Sequence, residues 1–91
     1  MPARHRFPSG SIVATPAALA VTSSQQLLEA LEHHLTGDWG NVSAEDAQAN
    51  EDAVTHGYRV FSVYQMADDS RFWIITEADR SSTCVLLPSD Y

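Results

Sequence analysis

The periodicity of this chain changes at Gly57, after two helical segments, and no other feature restricts its fold as much. Upstream, apolar residues recur at helical spacing; downstream, β-branched and aromatic residues dominate. Leu27, Leu28, Leu31 and Leu35 form one apolar stripe, with Glu29, Glu32 and His33 largely off it. Thr22 with Gln25, and Ser23 with Gln26, have capping-box spacing, and Gly37 can take the left-handed conformation that closes a helix. This pattern predicts a helix over 24–36. Ser43 is a second N-cap, with Glu45 and Asp46 in the first turn, where the helix dipole favours negative charge. A second helix over 44–56 then ends at Gly57. Its apolar face is thin, Ala47 and Val54 with Asn50 between them. In the link between the helices, Trp39 can tuck its indole beneath both.

Strands are predicted over 11–14, 58–66, 71–76 and 83–87, with a turn at 67–70 and a polar loop over 77–82. The segment 71–76 is the most apolar and should be central. Thr15-Pro16 reads as an N-cap with proline at the first helical position, opening a brief turn through Leu19. Residues 1–10, with two prolines and a glycine, read as a loose arm. Residues 11–91 then form a single α+β domain. Its order is β-α-α-β-β-β in two layers, an antiparallel meander with two helices on one face.

Charge narrows the function classes. The chain has 91 residues with five Lys+Arg, all of them Arg, against twelve Asp+Glu, for a net charge of −7. A phosphate-binding groove needs dense positive charge, so direct nucleic-acid or anionic-membrane binding is disfavoured. A lone cysteine, Cys84, allows no internal disulfide and reads as a small core residue. No apolar run is long enough to span a bilayer and no apolar leader is visible, so a cytoplasmic location is expected. No spacing resembles a metal or phosphate-cofactor motif, and neither metal nor cofactor is expected.

Between Arg6 and Arg59 there is no Lys or Arg but seven acids. Either this is a solvated face that keeps the protein soluble, or it is a contact surface for a basic partner. On the second reading Asp38, Glu45, Asp46, Glu51 and Asp52 make the contact. Glu45 to Asp52 spans about 10 Å of helix axis at ~1.5 Å per residue. Duplex DNA carries about six charges over that length, at one per ~1.7 Å. Four acids there are sparser than that and do not all share one face.

A catalytic reading uses the polar loop. Glu77 as general base, Arg80 as phosphate-stabilising cation and His34 as general acid would make a metal-free ribonuclease set. The bland alternative has Arg80 pairing Asp79 or Glu77 within a self-stapled hairpin loop. The order of elements resembles that of ribonuclease toxins of the RelE/ParE and barnase–colicin type. Those proteins are usually basic, unlike this one. A third reading is a homodimer on an exposed edge of the 58–66 strand.

A further resemblance rests on Gly37-Asp38-Trp39-Gly40, Glu45-Asp46, Asn50, the run from Trp73 through Glu77-Ala78-Asp79-Arg80-Ser81, Leu86-Leu87-Pro88 and Tyr91. In these the chain resembles a group of small acidic proteins of proteobacterial plasmids and integrative elements. That likeness implies a mobile-element setting and a bacterial cytoplasm, and supplies no catalytic residues. With the charge map, it leads to the expectation of a small non-enzymatic binding protein. Its target would be a basic nucleic-acid-handling host defence protein, of the kind blocked by anti-restriction or anti-CRISPR proteins.

Overall fold

A computed structural model describes residues 4–91. The element order is β1 (Ser11–Ala14), α1 (Pro16–Val21), α2 (Ser24–Thr36), α3 (Ala44–His56), β2 (Val60–Gln65), β3 (Arg71–Thr76), β4 (Ser82–Leu86) and a 3-10 turn (Pro88–Asp90). The domain is α+β, with the expected meander of β2, β3 and β4. β1 extends it by pairing parallel with β4, giving a mixed sheet in the order β1-β4-β3-β2 with β3 internal. No helix among the described residues is long and apolar enough to cross a membrane.

Local chemistry sets the helix ends. The Ser23 hydroxyl accepts from the Gln26 N–H while the Gln26 side chain accepts from the Ser23 N–H, a reciprocal box. Ser43 caps α3 through the Asp46 N–H, and Gly37 and Gly57 end α2 and α3 at φ 97° and 80°. The Thr15-Pro16 signal produces more than the expected brief turn. It starts a six-residue helix, capped by the Thr15 hydroxyl, whose Ala18 is fully buried.

All three helices lie on one face of the sheet. Ala18, Ala30 and Leu31 pack against Phe72, Ile74 and Val85. A second cluster joins Leu35, Trp39 and Ala53 to Val60 and to Phe7. Phe7 corrects the expectation of a loose arm for its described part. Its ring is buried against His34 and Trp39, and the Arg6 N–H donates to the Leu35 carbonyl at 2.7 Å. Residues 1–3 of that arm lie outside the described residues.

The apolar stripe of α2 is also redrawn. At ~100° per residue, the arc centred on Leu27 takes in Ala30, Leu31, His34 and Leu35 and leaves Leu28 at its margin. Leu28 is 68% exposed and His34 is fully buried.

Among the described residues no α-helix lies over the opposite sheet face. Phe61, Val63, Trp73, Ile75, Cys84 and Leu86 point there, and Phe61 meets Trp73 edge-to-face at 5.1 Å. The 3-10 turn folds the C-terminus back so that Tyr91 packs on Trp73 at 5.7 Å. Cys84 is half-buried on this face instead of sitting in the core, and Tyr58 is 59% exposed.

Candidate functional site

The residues singled out for catalysis are committed to internal bonds. His34 enters the core from α2 with both ring nitrogens bonded, Nδ1 to Ser62 Oγ at 2.6 Å and Nε2 to Thr76 Oγ1 at 2.9 Å. Thr76 Oγ1 lies 2.7 Å from Thr83 Oγ1, which donates to the Ser9 carbonyl at 2.7 Å. That carbonyl can only accept, so Thr83 donates to Ser9, Thr76 to Thr83 and His34 Nε2–H to Thr76. The buried imidazole is neutral, so its Nδ1 accepts from Ser62. Burial, seconded by the positive charge of Arg80, pushes its pKa down to about 4.

Arg80 is spent on carbonyls. Its guanidinium donates to Tyr58 O at 2.6 Å, Ala53 O at 2.9 Å and Glu77 O at 3.2 Å, and lies over the Phe7 ring. It thereby joins the 77–82 loop to the end of α3. To do so Arg80 takes φ 59°, a conformation that costs a non-glycine residue about 1 kcal/mol or more. Glu77 pairs with Arg59 at 3.2 Å, not with Arg80. Among the described residues, surface clefts of about 260, 260 and 390 Å³ are lined by none of His34, Glu77 and Arg80. Among the described residues no three His, Cys, Asp or Glu side chains are gathered closely enough to hold a metal ion.

The acidic residues divide into two groups. Glu45, Asp46 and Asp52 stand exposed on α3 without a cationic partner among the described residues. Asp38 is exposed beside them in sequence, with one oxygen 3.2 Å from His33 Nδ1 and the other accepting from the Gly40 N–H. Glu51 is drawn inward. Arg6 donates to both its oxygens at 2.8 and 2.9 Å, and the Trp39 indole N–H donates at 3.2 Å. The Arg6 bond holds the Glu51 carboxyl below the usual carboxylate range. Of the five acids proposed for contact, Glu51 thus has its charge largely answered within the chain.

The rest of α3 is fixed to the sheet. Asn50 is buried and pairs with Phe61 as a backbone would, donating to its carbonyl at 2.6 Å and accepting from its N–H at 3.0 Å. Two residues along, the Val63 N–H donates to Trp39 O and the Asn41 N–H to Val63 O. Gly40 permits this approach: it sits at φ 73°, and a Cβ there would strike the Val63 carbonyl. The outer edge of β2 is therefore covered at Phe61 and Val63, where an exposed edge was expected. Asn50 was legible only as a gap in a thin apolar face. The His34 relay had a clearer signal: Ser62, Thr76 and Thr83 each put a small hydroxyl at an inward position of neighbouring strands.

No family model matches the chain, and no curated protein or solved structure is a significant match to it.

Proposed function

We propose that the chain acts by binding, offering the outer surface of α3 to a basic surface of a nucleic-acid-handling protein, and that it carries no reaction of its own. One observation supports this most. Glu45, Asp46 and Asp52 are exposed, with no cationic partner among the described residues, on a helix held to β2 by Asn50 and to the 77–82 loop by Arg80. A rigid helix loses little entropy when its side chains are engaged, and uncompensated acids speed encounter with a cationic surface. Asp38 extends the same charge at the helix–helix corner. The resemblance to plasmid and integrative-element proteins suggests a restriction nuclease or CRISPR effector as the kind of target.

The test is capture from bacterial lysate, treated to remove nucleic acid, with the wild type and an E45K/D46K/D52K variant. A basic nucleic-acid-binding protein retained by the wild type, and lost by a variant that still melts cooperatively, is expected. Recovery of the same proteins by both, or of no specific protein by either, contradicts the proposal.

A further inference from the structure

The two edges of the sheet are treated in opposite ways. The β2 edge is covered by Asn50 and by the Trp39–Asn41 backbone. The β1 edge is open. Ser11 and Thr15 donate to Ser81 and Val85 of the β4 side, so the odd residues of β1 face β4 and the backbone groups of Ile12 and Ala14 point outward. Those outward groups have no backbone partner among the described residues. Ile12 and Val13 are 53% and 49% exposed.

The same edge lies in a stretch without charge. From Phe7 to Leu28 there is no Asp, Glu, Arg, Lys or His, in a chain of net charge −7. Ile12 and Val13 on the strand, and Leu19 on α1, are large, apolar and half-exposed within it. Natural edge strands are commonly guarded by lysine, proline or a covering loop, and β1 itself carries none of the first two.

We infer that β1 is a self-association edge, on which a second copy of this chain pairs antiparallel to form a continuous eight-stranded sheet. A two-fold axis at Val13 sets Ile12 against the partner copy's Ala14, so their outward N–H and C=O groups bond reciprocally. It places the two Val13 side chains opposite each other on the helix-free face. A second copy is the occupant that the charge distribution favours. Two chains each bearing −7 repel, and β1 lets them meet through a strand that carries no charged side chain of its own. Asp90, which accepts from the Thr15 hydroxyl at 2.6 Å, puts one carboxylate beside the strand's end, against three exposed acids that α3 offers a basic partner. Four strand residues fall short of the ~800 Å² per partner of a standard interface, so the dimer is a weak one.

The inference stands apart from the proposed acidic contact and is tested separately. The mass of the full chain is followed by sedimentation or light scattering from about 10 μM to about 1 mM, the range in which a small interface is read. A rise from 10.0 kDa toward twice that value is expected. Added salt should strengthen the association, because it screens repulsion between like-charged copies. Amide exchange at low and high concentration should show Ile12 and Ala14 becoming protected as the dimer forms. V13K should abolish the dimer, and L28K, outside the strand, should leave it. A monomer at every concentration overturns the inference. So does a dimer that forms without protecting those two amides, or one lost equally in L28K.

Discussion

Protonating His34 in place would force Ser62 to stop donating to Nδ1, and would set a cation near Arg80 in a fully buried site. Burial, and after it the charge of Arg80, opposes the proton, so the folded pKa lies near 4 against an ordinary 6.5. The unfolded chain therefore binds a proton between those values that the folded chain refuses. Stability from this group is complete above pH 6.5, declines as pH falls and is lost near pH 4, a total of about 3 kcal/mol. Melting temperature should drop between pH 7 and pH 5 in the wild type and much less in H34Q. Equal slopes would show that another group sets the dependence. Trp39 works differently, filling the second core cluster while donating to Glu51. W39A should cost about 3–5 kcal/mol, as buried aromatic truncations do. An unchanged melting temperature would contradict its place in the core.

At the scale of elements, what sequence reveals depends on whether the determinant is local. The caps at Ser23, Ser43, Gly37 and Gly57 were legible because a cap depends on residues within one turn. The internal position of β3 followed from the apolar content of 71–76. The parallel pairing of β1 with β4, the docking of Phe7 and the reach of Arg80 to Ala53 join segments far apart in sequence, and no local pattern encodes them. The exposed acids of the candidate site were legible as charge; that Glu51 turns inward was not, because its partner Arg6 lies 45 residues away in sequence. Asn50 supplies a test at this scale. N50A leaves the Phe61 N–H and C=O without partners, at a cost of about 1–3 kcal/mol. Amide exchange at Phe61 should accelerate more than exchange at Ile74 in the sheet interior. Unaltered exchange at Phe61 would mean that the β2 edge is held by something else.

Over the whole molecule, charge and packing are segregated. The helices that cover the sheet carry an acidic surface, one sheet edge is covered, and the strand at the other carries no charged side chain. Glu45, Asp46 and Asp52 repel one another with no Lys or Arg on α3 to offset them. Their repulsion is screened within about 10 Å at 0.1 M salt, so moderate salt should raise the melting temperature of the free protein slightly. A complex that depends on those acids responds with the opposite sign. The most direct test of binding through the acidic face is the affinity of the captured partner between low and moderate salt, measured with the wild type and the E45K/D46K/D52K variant. The account predicts that wild-type affinity falls steeply with salt and that the variant binds weakly at every concentration. A complex that tightens with salt, or that the three reversals leave intact, would contradict it and leave the acids of α3 as a solvated surface.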